Sequence, residues 1–387
     1  MNVHISSVRN IDVLRKLIDV KKVNGKNFFF PTFGLSIKIG TDSKLIERFE
    51  SLKFFFPVIT EEMESDLRII ILGDLNSFYI LAQELRSKEE FILAEEINNL
   101  LKNYKESYKH SYQIGKKIFS GDECYLMGVL NLTSDSFFDG GKYNRPETAL
   151  RRIHEMIAVG VDIIDIGAES TRPGSEPVSA QDELSRILPV LKEIQKDEVT
   201  VSIDTYKSQV AEVCLNNGAH MINDISGLKF NPELGEIVAR FNAGIILMHI
   251  KGTPKTMQVN PHYVNVIEEI NFELKSSLEL AKNKGISKIF IDPGIGFGKR
   301  LKDNYEILNR LDEFRFLGYP VAIGLSRKSF IGKVLNQTPP ESLIGTTAAN
   351  ASAQLSGANI IRVHDVKEMN EVKKIINFIK SPDSLNG

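Results

Sequence analysis

The amino-acid sequence predicts an α/β protein, a (β/α)8 TIM barrel preceded by a small α+β N-terminal domain. From Cys124 onward, eight short apolar runs alternate with helical patterns over about 265 residues, which is the size and unit count of such a barrel. The apolar runs also end in polar residues, as parallel strands do where their carboxyl ends form an active site. A doubly wound open sheet is the alternative, but eight even units favour a closed barrel.

The first 110 residues have the pattern of a separate, small domain. Helical periodicity and short apolar runs are mixed there without regular alternation, which is typical of an α+β domain. The predicted helices are 44–54, 76–85 and 89–104, and the predicted strands are 68–72 and 28–30. No ligand pattern is present in this part, so the catalytic barrel is predicted to occupy residues 111–387.

The barrel strands and helices follow from apolar runs and their punctuation. The predicted strands are 125–132, 162–167, 200–204, 221–225, 244–249, 288–292, 320–325 and 359–363. Pro146 opens the first helix between them. Ser179 with Asp182, and Asp365 with Glu368, form predicted N-terminal capping pairs.

The composition narrows the class of function. Hydrophobic residues make up 42% and charged residues 25% of the chain, as in ordinary globular proteins. A net charge of −2 argues against nucleic acid or an anionic membrane as a partner. Cys124 and Cys214 are too few for a disulfide framework or a zinc pattern. The sequence shows neither the apolar core of a signal peptide nor an apolar run of about 18 residues, so we expect a cytoplasmic protein that acts on small molecules.

Residues 162–174, which read DIIDIGAESTRPG, show how these units are organised. A buried strand that contains Asp165 delivers a polar loop with Glu169, Thr171 and Arg172. Alone, such a loop is more often a solvated connection than a site. Eight polar strand ends in succession, however, indicate a functional cavity at one face of the barrel. The other residues at these ends are Asn131, Asp135, Asp139, Asp204, Asn223, Asp224, Met248, His249, Lys251, Asp292, Phe297, Lys299, Ser326, Arg327, Lys328, Ser329, Arg362 and His364.

The residue types at this face indicate a flat heterocycle and a phosphate-type anion. Buried carboxylates need hydrogen-bond donors, and a purine-like or pterin-like edge would supply them to Asp204, Asn223 and Asp292. Positive charge suited to a di- or triphosphate comes from Arg172, Lys328, Arg362 and His364.

Aromatic and oxygen-bearing side chains extend this prediction. Phe137 and Phe297 are placed to sandwich an aromatic ring, and Ser329 precedes a predicted helix, whose N-terminus is an anion site. A Mg²⁺ ion that bridges Asn131 and a substrate phosphate is expected, because Mg²⁺ takes few protein ligands and keeps several waters. The glycines of residues 294–298 lack the spacing of a nucleotide fingerprint and predict a tight turn.

Together these segments resemble the dihydropteroate synthase family, folate-pathway enzymes of the pterin-binding barrels. The matching stretches, in family order over residues 112–380, are MGVLNLTSDSFFDGG, DIGAESTRPG, SIDT, INDISG, LMHIKGTPKTMQ, DPGIGFGK, GLSRKSFIG and IRVHDV. The resemblance implies a sulfonamide-targeted transferase that condenses 6-hydroxymethyl-7,8-dihydropterin pyrophosphate with p-aminobenzoate, with Mg²⁺ as cofactor. By analogy it also implies a homodimer, with the helix around 348–355 at the interface.

The resemblance also assigns roles to residues. Those expected to contact the pterin are Asp204, Asn223, Asp292, Lys328, Met248, Phe297 and the stem of Arg362. The pyrophosphate and Mg²⁺ site is expected at Asn131, Arg362 and His364. The loops that close over p-aminobenzoate are expected to carry Asp139, Thr171 and Arg172. Its carboxylate is expected at Ser329, in a pocket lined by Phe137 and Pro173. Asp165 is expected to support these contacts from behind. The predicted catalytic set is Asn131, Arg362, His364, Lys328, Asp139 and Arg172.

Three residues depart from the family pattern, in which Pro, Gly and Met are usual at Ser134, Ala168 and Ile250. None is a charged contact, so activity is expected to persist. A methyltetrahydrofolate:corrinoid methyltransferase shares the pterin half of such a site, but it does not need the STRPG, SRKS or RVH segments. A catalytically silent pterin-binding or regulatory protein is the other alternative, and the retained charged residues argue against it.

Overall fold

The computed structural model describes residues 2–7, 33–39, 49, 58–62, 67–133, 146–170, 174–195 and 198–383. The chain divides into two compact units. The first comprises Met1–Ser107 with Arg315–Gly318, and the second comprises Tyr108–Phe314 with Tyr319–Gly387. All candidate site residues lie in the second unit.

The first unit contains a four-stranded antiparallel sheet and two helices. Its strands are β1 (Asn2–Ser7), β2 (Phe33–Ile39), β3 (Val58–Glu62) and β4 (Leu67–Gly73), in the spatial order β1-β2-β4-β3. The helices are Leu75–Ser87 and Phe91–Ser107. Buried side chains of the sheet and helices, among them Leu35, Ile69 and Phe78, share one core with Phe316.

Sequence patterns found the strongest elements of this unit but not all of them. The predicted strand 68–72 and helices 76–85 and 89–104 correspond to β4 and the two helices. Strands β1 to β3 were missed, because their short runs include polar residues and carry no clear turn signals. The predicted strand 28–30 lies outside the described residues. So does the predicted helix 44–54, apart from Phe49, which is helical and buried.

The second unit is a closed barrel of eight parallel strands, as the sequence predicts. The strands are β7 (Tyr125–Asn131), β8 (Ile163–Gly167), β9 (Thr200–Asp204), β10 (Met221–Asp224), β11 (Gly244–Met248), β12 (Lys288–Asp292), β13 (Val321–Gly324) and β14 (Ala358–Val363). Each pairs with the next, and β14 pairs with β7 to close the ring. Closure places all eight carboxyl ends on one face, where the polar residues gather.

Helices follow the barrel strands and cover their outer surface. The described helices of this unit are Pro146–Ala158, Ala180–Ile194, Ser208–Asn216, Leu234–Arg240, Val266–Asn283, Leu301–Asn309, Ser329–Leu335, Leu343–Leu355 and Val366–Lys380, with 3₁₀ turns at Leu311–Leu317 and Pro339–Glu341. The predicted cap at Ser179 is confirmed, since its Oγ accepts from Asp182 N at 3.1 Å. Asp365 is the N-cap residue of its helix, as predicted, but its carboxylate makes no capping bond and accepts from Arg327 Nε at 2.8 Å instead.

A hairpin that the sequence did not predict covers the amino end of the barrel. It consists of β5 (Ser111–Ile114) and β6 (Lys117–Ser120). Tyr112, Ile114 and Phe119 lie in one apolar cluster with inward residues of the barrel strands, and the Tyr112 ring centroid is 5.4 Å from that of Phe290. This hairpin belongs to the barrel, so the catalytic unit starts before Tyr112.

A chain that begins at Tyr108 and carries Phe316→Gln is expected to fold and to keep the catalytic activity of the full chain. The hairpin and all eight barrel strands remain in it, and the glutamine replaces a ring that the first unit buries (3% exposed). Circular dichroism and an assay of the expected condensation of p-aminobenzoate with the pterin pyrophosphate check this, with Phe316→Gln in the full chain as the control. A folded truncated chain without activity would contradict it.

Candidate active site

Four strand ends bring two carboxylates, an amide and a guanidinium together at the barrel mouth. Arg362 donates from Nε to Asp165 Oδ2 at 2.6 Å and from Nη2 to Asp204 Oδ2 at 2.7 Å. Asn223 Nδ2 donates to the same Asp165 oxygen at 3.0 Å. Asp204 is in register with Asn223 on one side and with Gly167 on the other. Because Gly167 has no side chain, it leaves room beside the Asp204 carboxylate.

Burial and neighbouring charges shift the pKa values of the groups in this cluster. It raises the pKa of Asp204, against the pull of Arg362, and the nearby Asp165 charge adds to the rise. The two carboxylates hold the pKa of Arg362 above its ordinary value despite burial. Asp165 Oδ1 is buried and has no hydrogen-bond partner among the described residues. The group therefore keeps acceptor capacity for a ligand that presents N–H groups.

A second acceptor lies across the mouth at the end of β12. Asp292 is 8% exposed, and within the described parts of the chain only Gly294 N donates to its carboxylate, at 2.6 Å to Oδ1. Burial raises its pKa, while the nearby Lys328 lowers it. Lys328 donates to Ile295 O at 2.5 Å, and its Nζ lies 5.0 Å from the Phe297 ring centroid. Burial lowers the pKa of Lys328 to about 8, although Asp292 opposes the shift.

The loop after β12 is fixed through its backbone. The five successive carbonyls of residues 294–298 each accept a hydrogen bond, from Phe297 N (3.1 Å), Lys328 Nζ (2.5 Å), Gln258 Nε2 (2.7 Å), Lys299 Nζ (2.9 Å) and Tyr263 OH (2.8 Å) in that order. Gly294 has φ +70°, and a Cβ there would lie 1.9 Å from His249 O. Only glycine fits so close to the end of β11. The loop presents a partly exposed Phe297, whereas Met248 is buried at the end of β11.

The ends of β7 and β14 carry the residues predicted for the anion. His364 is held by Ser326, whose Oγ accepts from His364 N at 3.2 Å and lies 3.1 Å from Nδ1. When that hydroxyl donates to Nδ1, the imidazole proton lies on Nε2. Asn131 is partly exposed at the end of β7, and its amide has no hydrogen-bond partner in the described ranges. The amide of Asn131 is therefore available to a ligand.

The loop after β8 is anchored by an ionic cluster that the sequence reasoning missed. Glu169 accepts from Val178 N at 3.0 Å, from Tyr206 OH at 2.9 Å and from Lys207. Lys207 also donates to the buried Glu183 at 2.7 Å. Glu169 thereby joins both stems of the loop to the end of β9. The sequence signal for this cluster was the pair Tyr206 and Lys207, which directly follows the SIDT segment.

Not every predicted site residue reaches the mouth or can be placed. Phe137, Asp139, Thr171, Arg172 and Pro173 lie outside the described residues, as do Ser134 and Asp135. Ser329 is exposed, and it is the first residue of its helix and not the residue before it.

Three strand-end residues predicted at the mouth turn out to be buried instead. Asp224 accepts from Ser226 N at 2.8 Å and Leu228 N at 2.6 Å, so it shapes a turn. His249 and Lys299 are 1% and 3% exposed and contact each other. Sequence position alone does not tell which way a polar residue after a strand points, and the turn that follows decides it.

Known proteins similar to this chain agree on one family. The family model described as pterin binding enzyme matches residues 127–364. The dihydropteroate synthase of Synechocystis is 43% identical over 271 residues, which cover 69% of this chain and 94% of that protein. The Yersinia pestis dihydropteroate synthase, solved with a sulfonamide drug complex, has a TM-score of 0.68 and 39% identity, covering 70% of this chain and all (100%) of that one. The Burkholderia cenocepacia dihydropteroate synthase complexed with 7,8-dihydropteroate has a TM-score of 0.65 and 36% identity, covering 72% and 99%.

Proposed function

Because this chain belongs to the dihydropteroate synthase family of pterin-binding enzymes, we propose that the residues at its barrel mouth carry out that family's reaction. The enzyme is a transferase of folate biosynthesis. It condenses 6-hydroxymethyl-7,8-dihydropterin pyrophosphate with p-aminobenzoate to 7,8-dihydropteroate and pyrophosphate. The observation that carries the assignment of residues is the set of buried acceptors beside two cations at the mouth.

The pterin ring is proposed to lie between the two acceptor groups. Asp292 would accept from the 2-amino group and the adjacent ring N–H, since among the described residues only Gly294 N donates to its carboxylate. Asn223 gives its amide N–H to Asp165 and so has its carbonyl oxygen left for the ring. Asp204 has one oxygen engaged by Arg362 and one left. Met248 and Phe297 are proposed to pack on the ring faces.

The pyrophosphate is proposed to bind between β7 and β14. Arg362 uses two of its five N–H groups on Asp165 and Asp204, and the rest can reach an anion. His364 can donate from Nε2. The donor set also fits Mg²⁺: Asn131 offers one amide oxygen, and no cluster of three or more metal-binding side chains occurs among the described residues. Such a site suits an ion that takes most of its ligands from phosphate and water.

The chemistry proposed is ionisation of the bond between the pterin methylene and the pyrophosphate oxygen. Arg362 and His364 stabilise the negative charge that develops on the leaving group, and such preorganised charge is commonly the largest catalytic contribution. When bound, Mg²⁺ neutralises part of that same charge. The resonance-stabilised pterin cation is then attacked by the arylamine of p-aminobenzoate, and the proton that the new secondary amine loses passes to the released pyrophosphate or to water. No strong general base is needed, so Arg362 and His364 act on charge and not as a catalytic dyad.

The second substrate is proposed to bind nearer the surface. Asp139, Thr171 and Arg172 would close over p-aminobenzoate, with Phe137 and Pro173 lining its pocket. These five lie outside the described residues. The exposed Ser329 would receive its carboxylate. The Glu169 cluster supports this placement, since it joins the stems of the second loop to the barrel.

The direct test is to mix the purified protein with both substrates and Mg²⁺ and to follow pyrophosphate release and dihydropteroate formation. Both products are expected, and a chelator should stop both. Pyrophosphate release without p-aminobenzoate would point to a hydrolase. Binding of pterin with no product would favour the silent pterin-binding alternative. Methyl transfer from methyltetrahydrofolate to a corrinoid should be absent.

Pterin affinity is expected to fall as pH rises through about 8, because Lys328 loses its charge there. Burial lowers the pKa of Lys328, so the ammonium is present below pH 8 and lost above it. Lys328→Arg keeps the positive charge at every pH and should remove this part of the decline. Calorimetry with 6-hydroxymethylpterin between pH 6.5 and 9.5 measures the difference between the two proteins. Ionisation of the ring itself is common to both, so identical profiles would exclude the contribution of Lys328.

We further propose a homodimer and a cytoplasmic location. Helices Leu343–Leu355 and Val366–Lys380 expose apolar side chains, with Ile344 at 85% and Ile375 at 60%. A second copy would cover such a surface, and light scattering measures the mass in solution. Within the described ranges, no helix is long and apolar enough to cross a bilayer.

A further inference from the structure

We propose that Lys299 is a positioning residue that fixes the pterin-stacking Phe297 relative to Met248 and Asp292. The inference deepens the proposed function, since it takes the pterin to lie at this part of the mouth. Lys299 was expected to line the mouth, but it is buried behind the site and touches none of the groups proposed to hydrogen-bond substrate.

The Lys299 ammonium joins two neighbouring strand ends. It donates to Phe297 O at 2.9 Å on the loop after β12. On the end of β11 it lies 2.9 Å from His249 Nδ1 and 3.4 Å from His249 O. Three acceptors match the three N–H groups of an ammonium. His249 directly follows Met248, so this one side chain links the residues proposed for the two faces of the ring.

The partner histidine is itself fixed in one form. Burial lowers the pKa of Lys299 well below its ordinary value, while the nearby Asp292 opposes the shift. In its charged form Lys299 can only donate, so Nδ1 of His249 is then the acceptor and the proton lies on Nε2. Nε2 is 3.4 Å from Glu273 Oε1, too poorly aligned for a normal hydrogen bond but close enough to favour that tautomer. Burial and the charge of Lys299 lower the pKa of His249 to about 3, so the imidazole is neutral. Lys229 holds Glu273 in turn, at 2.6 Å.

Among the described residues, Lys299 is the side chain that hydrogen-bonds to the backbone of Phe297. The Phe297 carbonyl accepts from Lys299, and the flanking carbonyls of Gly296 and Gly298 accept from Gln258 and from the buried Tyr263. A buried ammonium is costly to desolvate, and an apolar side chain could fill the same space. A role in holding the carbonyls of two strand ends in register with Asp292 therefore explains the presence of a lysine at position 299 better than packing does.

The test is Lys299→Met, which keeps the length of the side chain and removes all three donors. Its affinity for 6-hydroxymethylpterin, measured by calorimetry, is expected to fall about tenfold or more, because small misplacements of a binding group are amplified in this way. KM for p-aminobenzoate should change less than threefold. Lys284→Met is the control, since Lys284 donates only to the surface residue Glu236, and its pterin affinity should match that of the parent.

A pair of variants at His249 isolates the contact. His249→Asn can keep an acceptor for Lys299, whereas His249→Leu cannot, and both lose the contact with Glu273. Pterin affinity should be higher in the asparagine protein than in the leucine protein by severalfold, at similar melting temperatures. Parental affinity in Lys299→Met, or equal affinities in the His249 pair, would overturn the proposal. If the parent protein itself fails to bind the pterin, the proposed function fails instead.

Discussion

Asp292→Asn is expected to weaken pterin binding by roughly thirty- to a thousand-fold while leaving the fold intact. The 2-amino group and the neighbouring N–H of the ring are a pair of donors, and a carboxylate accepts both. Asparagine has nearly the same size but turns an NH₂ toward one of those donors. Breaking a buried charge-assisted pair costs on the order of 2–4 kcal/mol, which corresponds to that loss of affinity. Calorimetry with 6-hydroxymethylpterin measures it.

The alternative reading of Asp292 is a turn residue, and the structure gives this reading some substance. Gly294 N donates to its Oδ1 at 2.6 Å, so asparagine could lower stability through the turn alone. Asp224→Asn is the matched control, because Asp224 is buried, ends strand β10 and accepts from two backbone amides. It should lower the melting temperature and leave pterin affinity unchanged. If Asp292→Asn behaves like this control, with pterin affinity within threefold of the parent, our placement of the pterin is wrong.

Arg362→Ala is expected to lower kcat by about a hundredfold or more. Its remaining N–H groups are proposed to meet the pyrophosphate as negative charge develops, and losing one such preorganised donor typically costs on the order of 10²–10³ in rate. The substitution also leaves Asp165 and Asp204 as two carboxylates without their shared counter-ion. Their repulsion, close to the leaving group, should deepen the loss. Steady-state kinetics separates kcat from KM.

His364→Ala should lower kcat in the same direction but less, since it removes one donor without uncovering a buried charge. Arg310→Ala is the control for a buried guanidinium: it is held by Glu306 at 3.0 Å and Glu313 at 2.7 Å, away from the mouth. That variant should lose stability and keep kcat. An Arg362→Ala protein with normal kcat and a raised KM for p-aminobenzoate would place Arg362 with the second substrate.

The fold was predictable where the sequence is periodic. Eight apolar runs of similar length, each followed by a helical pattern, describe a barrel because only closure buries every strand alike. The β5–β6 hairpin escaped notice, because its two strands have only four residues each and alternate polar with apolar side chains. Its role follows from the cavity that it fills, and a cavity exists only after the ring has closed.

The candidate site was predictable to the level of which residues meet, but not how they pair. Asp204, Asn223, Asp292, Lys328 and Arg362 were all expected at the mouth. That Arg362 clasps two carboxylates could not be predicted, since Asp165 and Arg362 are 197 positions apart and meet only through the closing pair of β14 with β7.

The different positions of the Lys299 and Lys328 side chains were equally unpredictable from the sequence. Each follows a barrel strand within a few residues, but one is buried behind its loop and the other faces Asp292. The burial of each lysine and the direction of its side chain depend on the turn that precedes it, and local composition specifies such turns poorly.

Among the described residues, the hairpin covers the amino end of the barrel, which leaves the carboxyl ends of the strands as the open face. Tyr112, Ile114 and Phe119 cover that end, so we expect substrates and products to pass through the mouth at the carboxyl ends of the strands. If the pterin lies deep and p-aminobenzoate near the surface, whichever arrives second stands between the first and the solvent. A p-aminobenzoate molecule that arrives first therefore blocks the path of the pterin. The architecture thus favours a compulsory order of addition, with the pterin first and the joined product leaving last along the path by which its parts came in.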